Sequence, residues 1–346
     1  MRKLVSFIVA LVLIVGFIPF NNAEAAAKSL KVHFINVGQG DSILVQAPAG
    51  KTMLIDGGPK SAGDDVVAFL KSKGVKHLDY VVATHPDADH IGGLIDVLKT
   101  FKVKNFIDSG KAHTTETYVE MLTLIDKKNI NYIVPSTLDT YKLDPNMTTR
   151  VLYANSDADD NNDASIVLKI TYNKVSFLLT GDASTEIEEQ IASKYDVSAT
   201  VLKAGHHGSD TSSSAKFISK VNPKVAILSY GKDNSYGHPN SAVVSRLKNV
   251  GAKIYKTATD CNITVTSDGK TYKVTNSCAK PTTTKPSPSK PATPKPSTKP
   301  TTKPSTQTNF KNCTELRKVY PSGVSSSHAA YQSKMDRDKD GWACER

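Results

Sequence analysis

The run His85-Pro86-Asp87-Ala88-Asp89-His90-Ile91-Gly92-Gly93 constrains this chain more than any other stretch. The apolar run 78–83 before it reads as a strand, and the spacing of Leu94, Val97 and Leu98 after it predicts a helix. Its polar side chains therefore sit at the C-terminal mouth of a strand, where open α/β sheets place ligand sites. One His or Asp in such a loop would be an ordinary solvated residue. Two imidazoles and two carboxylates within six residues can converge on a small volume, and together they read as a metal site.

The rest of 28–279 repeats this arrangement. Runs 30–37, 42–46 and 52–55 read as strands separated by Gly, Pro and Asp, and 66–73 reads as a helix leading into the strand 78–83. Later, 165–171, 175–179, 201–203 and 225–229 read as strands, with helices at 185–194 and 242–249. Hairpins open each half, so the pattern predicts two mixed sheets packed face to face with helices outside. Polar groups recur where strands surface: Asp56-Gly57-Gly58, Gly181-Asp182 and His206-His207-Gly208-Ser209. That placement brings residues distant in sequence into one pocket.

Flanking segments set the context. Met1-Arg2-Lys3, an apolar run from Leu4 to Phe20 and Ala23-Glu24-Ala25 have the three regions of a secretory signal peptide over 1–27. An uncleaved anchor is the competing reading. The cleaved reading predicts a secreted, extracellular chain with no transmembrane span after processing. Four cysteines, Cys261, Cys278, Cys313 and Cys344, fit an oxidising compartment. Their separation suggests two local disulfides, although four cysteines allow three connectivities, and the lack of C-x-x-C spacing argues against a cysteine zinc site. Residues 280–308 are almost entirely Pro, Thr, Ser and Lys, an extended spacer that cannot bury a core. Of the net charge of +11, six come from this linker: Lys280, Lys285, Lys290, Lys295, Lys299 and Lys303. The basic balance is thus no argument that the main domain binds nucleic acid. The linker and tail can lie on an anionic cell-wall polymer, which makes wall association the favoured expectation, or the linker can help hold a polyanionic substrate.

His85-Pro86-Asp87-Ala88-Asp89-His90 resembles the H-x-H-x-D-H signature of the metallo-β-lactamase fold. The segments 36–42, 54–58, 162–168, 179–182, 203–209 and Tyr236-Gly237-His238-Pro239 resemble the branch that contains the hydrolase domain of ComEC-type competence proteins. The resemblance spans roughly 30–275 and implies an αββα sandwich with a metal site at one edge of the sheets. Carried over by motif, His85 and Asp87 belong to one metal position and Asp89 and His90 to the other. Asp182 bridges them, and His206 closes the second position, with His207 as the alternative. Asp163 stands where many relatives have a third His. Asp87 replaces the second His of the common signature, which makes that position harder and moves preference from zinc towards manganese or magnesium, with one or two ions held.

The last segment, 309–346, begins a calcium loop at Asp336, Asp338 and Asp340, with Gly341 for the turn. Glu345 falls at position 10 rather than the usual 12, which argues against an ordinary EF-hand. Phe310, Asn312-Cys313, Tyr320-Pro321-Ser322-Gly323-Val324, His328, Ala330-Tyr331, Lys334-Met335-Asp336 and Cys344-Glu345 resemble the excalibur domain, a small extracellular calcium-binding module. The resemblance implies a Cys313–Cys344 disulfide and calcium held by Asp336, Asp338, Asp340 and Glu345, which together stabilise a module too small to build a core alone.

These readings predict an exported hydrolase using a metal-activated hydroxide. The ComEC-like resemblance makes it a phosphodiesterase with DNA as first candidate substrate. The position of Asp89 in the motif implies that it bridges or orients the attacking water, and His238, or the second member of the His206-His207 pair, protonates the leaving oxygen or holds a phosphate; the competing reading of His238 is a loop histidine stacked beside Tyr236. Lys203, Lys232 and Lys253 lie near strand ends, where they could meet phosphates, but they read first as surface lysines with no specific role. The alternatives are a hydrolase of the same fold acting on a lactam, thioester or wall phosphoester, and a non-catalytic wall-binding protein.

Overall fold

The computed structural model describes residues 29–278, 309–320, 324–325, 328–335 and 342–344. The expected signal peptide at 1–27 and linker at 280–308 lie outside the described residues, as do the calcium candidates Asp336, Asp338, Asp340 and Glu345. The chain divides into two compact units, one containing 29–278 and the other 309–344.

In the first unit, β1 (Leu30–Phe34), β2 (Ile43–Gln46), β3 (Thr52–Ile55), β4 (His77–Ala83), β5 (Lys102–Asp108) and β6 (Asn131–Ile133) begin one sheet. A second sheet is built from β7 (Thr140–Tyr141), β8 (Met147–Tyr153), β9 (Val167–Tyr172), β10 (Val175–Leu179), β11 (Val201–Lys203), β12 (Val225–Leu228) and β13 (Lys253–Lys256). The chain then returns to the first sheet as β14 (Ile263–Ser267) and β15 (Tyr272–Asn276), pairing Val265 with Val32 of β1. The strand orders are β15-β14-β1-β2-β3-β4-β5-β6 and β13-β12-β11-β10-β9-β8-β7.

Strand sequence explains the layering. Side chains alternate across a strand, and these strands are apolar on both faces. Ile43 and Val45 of β2, Met53 and Ile55 of β3, and Phe177 and Leu179 of β10 fill the core between the sheets. Leu44 and Leu54 point the other way, under α1 (Gly63–Ser72), α2 (Ala88–Ile91), α3 (Leu94–Thr100) and α4 (Glu116–Lys127). Leu178 does the same under α5 (Thr185–Lys194), α6 (Ala215–Val221) and α7 (Ser241–Asn249). The result is the expected α/β/β/α sandwich. Helix starts carry the caps their sequences offer: Ser214 Oγ accepts from Phe217 N at 3.1 Å, and Asn240 Oδ1 from Ala242 N at 2.8 Å.

Both sheets are mixed, and their parallel parts position the site. β3 to β6 run parallel, as do β10 to β13. The C-terminal ends of β3, β4, β10 and β11 lead into Asp56, His85, Asp182 and His206-His207 respectively.

Disulfides join Cys261 to Cys278 and Cys313 to Cys344, one in each unit, settling the connectivity. The second unit has a helix over Cys313–Val319, capped by Asn312 Oδ1 accepting from Glu315 N at 3.0 Å. Its small core gathers Phe310, Leu316, Val324, Ala330, Met335 and Ala343 beside the disulfide. No described helix is long and apolar enough to cross a membrane.

Candidate metal centre

The loop after β4 is held against the loop after β3 by backbone contact. Gly57 N donates to His90 O at 2.6 Å, and Gly93 N to Gly58 O at 2.9 Å. A Cβ on Gly93 would collide with Gly57 O, so a glycine there lets the two loops touch. Asp56, His206 and His207 adopt the left-handed backbone region at φ 58°, 45° and 55°. Non-glycine residues rarely sit there, and such strain concentrates where side chains must be aimed.

Asp56 sets the orientation of two imidazoles. Its Oδ2 accepts from His90 Nδ1 at 2.8 Å and from the Thr84 hydroxyl at 2.8 Å, while Thr84 N donates to Oδ1 at 2.8 Å. Thr84 spends its single proton on Asp56, so its oxygen can only accept from His85 Nδ1, 3.1 Å away. His207 Nδ1 donates to Ser229 O at 3.0 Å. In all three histidines the Nδ1 side is anchored and Nε2 is the atom offered to the site, the arrangement that orients metal-binding imidazoles.

The Nε2 atoms of His90 and His207 lie 3.3 Å apart, and each lies 3.2 Å from Asp182 Oδ2. Asp89 Oδ2 reaches His207 Nε2 at 3.2 Å. Asp41, His90, Asp182 and His207, all buried, offer ligand atoms within 4.8 Å of one another. His85 and Asp87 adjoin this group as a pair: the His85 ring centroid is 4.1 Å from that of His90, and its Nε2 is 3.6 Å from Asp87 Oδ2. Asn161 steadies Asp87 with a 2.7 Å hydrogen bond.

The residues present fit a metal ion. Asp41 Oδ1, Asp182 Oδ1 and His85 Nε2 are buried with no hydrogen-bond partner, a cost that proteins rarely accept without a use. Electrostatics agree. Burial opposes charge on His90, yet Asp182 and Asp56 overcome it and raise its pKa well above the ordinary value. Burial likewise opposes charge on His207, and Asp182 and Asp89 raise it to about 9. Asp89 is held down at about 2 against its own burial by His207 and His90. The carboxylates thus recruit protons onto the imidazoles, and a bound cation would displace them.

Lys203 is a correction to the surface reading. Its side chain is fully buried, with the ammonium paired to Asp41, 3.3 Å from Gly181 O and 3.8 Å from Asp182 Oδ1. Burial disfavours its charge, but Asp41 and Asp182 raise its pKa. It acts as a fixed cation balancing part of the carboxylate charge. Nothing in the strand pattern of β11 distinguishes it, because a lysine ending a short strand usually surfaces.

The structure brings together His85, Asp87, Asp89, His90, Asp182 and His207, all anticipated from sequence. Of the histidine doublet, His207 enters the group. His206 is at the rim, a quarter exposed, with Nδ1 at 2.9 Å from Thr211 Oγ1 and Nε2 at 3.9 Å from Asp182. Asp163 stands apart and accepts from Ser184 N at 3.2 Å. His238 flanks the group, its ring 6.2 Å from that of His207, and burial and the two neighbouring histidines lower its pKa. Asp41 was not foreseen as a ligand, although it lies in the segment 36–42 that carries the resemblance; only tertiary folding carries it to β11.

Residues 35–232 match the model of the metallo-beta-lactamase superfamily, and 310–345 that of the Excalibur calcium-binding domain. The chain is 32% identical over 253 residues to ComE operon protein 3 of Bacillus subtilis, covering 66% of this chain and 32% of that protein. It is 30% identical over 256 residues to competence protein ComA of Neisseria gonorrhoeae, covering 72% of this chain and 34% of that one. The chain thus spans about a third of the length of these curated relatives. A 37-residue segment, 11% of this chain and 12% of the relative, is 81% identical to the SPbeta prophage-derived endonuclease YokF of Bacillus subtilis. With its buried ligand group at the strand ends of an α/β/β/α sandwich and a family match over more than half its length, the chain belongs to the metallo-beta-lactamase superfamily and carries a C-terminal Excalibur domain.

Proposed function

We propose that this chain is an exported, metal-dependent phosphodiesterase that hydrolyses DNA. The observation that carries the reading is the convergence of His90, His207 and Asp182, with buried atoms of Asp41, Asp182 and His85 around them that have no hydrogen-bond partner. In this reading His90, His207, Asp182 and Asp41 hold one divalent cation, with Asp89 beside it, and His85 and Asp87 serve an adjoining position. His206 faces the substrate from the rim, and Asp163 braces α5 and takes no ligand role. A divalent cation bound here supplies Lewis acidity towards a phosphoryl oxygen and makes water acidic enough to ionise near neutral pH. Three carboxylates among these donors, Asp41, Asp182 and Asp87, favour manganese over zinc.

The residues of the chain do the rest. Asp89, ionised and about a third exposed, accepts a hydrogen bond from the attacking water and fixes its line of approach. His238, kept neutral by its surroundings, donates a hydrogen bond to a phosphate oxygen in preference to protonating the leaving group. Lys203 holds Asp41 in place and stays out of the substrate's reach.

DNA as substrate is supported by the names of the relatives, a competence protein over most of the first unit's length and an endonuclease over a short segment. That segment is too short to carry an active site, so it supports a shared module only. The signal-peptide pattern at 1–27 and the Excalibur domain support work outside the membrane, with calcium held by the tail.

The test is release of acid-soluble nucleotides from linear and circular DNA by the purified chain with manganese, zinc, magnesium or chelator, beside Asp182→Asn and His85→Ala. Metal-dependent release, lost in both variants while circular dichroism is unchanged, is the expected result. No release with any metal removes DNA as substrate, and full activity in both variants removes the assigned centre.

A further inference from the structure

Beside the metal centre lies the loop 231–238, whose outermost side chain does not serve the cluster. Tyr236 is 71% exposed, the most exposed large apolar side chain among the described residues. One face of its ring stacks on His238, with centroids 5.6 Å apart and planes 23° from parallel. His238 in turn lies 5.6 Å from His206 and 6.2 Å from His207 by ring centroids. The rings therefore form a row running from the ligand group out to solvent.

This row is built in advance. Asn234 Nδ2 donates to Gly231 O at 2.7 Å and to His238 O at 2.8 Å, and its Oδ1 accepts from His238 N at 3.0 Å. Gly231 N donates to Gln39 Oε1 at 3.2 Å, tying the loop to the segment before Asp41. A tyrosine left in water on a loop pinned at both ends gains little for folding, while its open face is a rigid apolar plane. Lys232 and Asp233 cancel in charge, so what the loop offers a ligand is stacking.

We infer that Tyr236, backed by His238, is a stacking platform for an unpaired nucleobase next to the phosphate that the metal centre attacks. This rests on the phosphodiesterase reading and narrows it: the substrate is a strand whose bases are free, because a base inside a duplex has no open face to present. Aromatic stacking tolerates any base, so the platform adds affinity without sequence preference. The bases are held by rings on one side of the centre while the phosphate enters past the rim formed by Asp87, Asp89 and His206.

Binding and cleavage separate the two readings. Equilibrium binding of a fluorescent single-stranded oligodeoxynucleotide, and of the same strand with abasic positions, is measured in chelator for the unchanged full chain, Tyr236→Ala and Tyr236→Phe. Cleavage of the same strands is then measured with manganese. The expected result is that Tyr236→Ala weakens binding of the base-bearing strand about tenfold. Tyr236→Phe keeps that affinity, and the abasic strand binds the unchanged chain and Tyr236→Ala equally. Equal affinity of the unchanged chain and Tyr236→Ala for the base-bearing strand overturns the platform, as does a failure of the unchanged chain to prefer bases to abasic sites. Preference for bases without cleavage supports the platform and removes only the nuclease reading. Cleavage with equal affinities removes only the platform.

Discussion

At the scale of residues, one carboxylate outside the candidate metal positions aims two imidazoles that lie in them. Asp56 accepts directly from His90 and, through Thr84, sets the proton on His85, so the Nε2 atoms of both face the site. Asp56→Asn replaces one accepting oxygen with a donor, and each imidazole loses its reason to carry hydrogen on Nδ1. Metal affinity is expected to fall about 10- to 100-fold, as for other partners that orient metal ligands. Calorimetric titration of the chelator-stripped protein with manganese reads this directly, and an unchanged affinity would refute the orienting role. The sequence places Asp56 among the polar groups that surface at strand ends, but what it grips depends on β3 and β4 lying side by side. Asp41 and Lys203 are hidden for the same reason, since their pairing crosses from one sheet to the other.

At the scale of elements, alternation and punctuation made β1 to β4 and β9 to β12 legible, together with the helices α1, α5 and α7. β5 is less so, because Lys102, Lys104 and Asn105 break its apolar run before Phe106 and Ile107. His33 shows how an element can hide a titrating group. It lies buried in β1 between two neighbouring strands, 2.8 Å from Thr264 Oγ1 and 3.1 Å from Gln46 Oε1. Burial lowers its pKa to about 4, against the partial opposition of Gln46 and with help from Lys73 and Lys31. The unfolded chain therefore binds a proton here, near the ordinary His value of 6.5, before the folded chain does. The stabilising contribution is whole above that value and is lost as pH falls through about 4. The full window amounts to roughly 3 kcal/mol. His33→Gln, which keeps a polar group between the same partners, is expected to flatten the loss of stability between those two values, read from urea unfolding at successive pH. An identical slope in the variant would show that His33 does not titrate across folding.

At the scale of the molecule, the large unit has three apolar layers, and the small one has a core that is a handful of side chains and a disulfide. The small unit depends on its covalent link far more than the large one does. Cys313 and Cys344 are 31 residues apart, and opening that loop is expected to cost the module about 3–4 kcal/mol by chain entropy. Cys313→Ser with Cys344→Ser should therefore lower the temperature of the small unit's unfolding transition in scanning calorimetry, and an unshifted transition would deny the disulfide its stabilising part. By itself the sequence determined the layers and the His-Asp ligand types, because apolar period and motif spacing are local properties of a chain. Only the tertiary structure decided that His207 and not His206 joins the ligand group, that Lys203 is buried, and that β14 and β15 close the first sheet. Those outcomes turn on left-handed backbone at the doublet, on charge pairing between sheets and on strand order, and each arises only when distant segments meet.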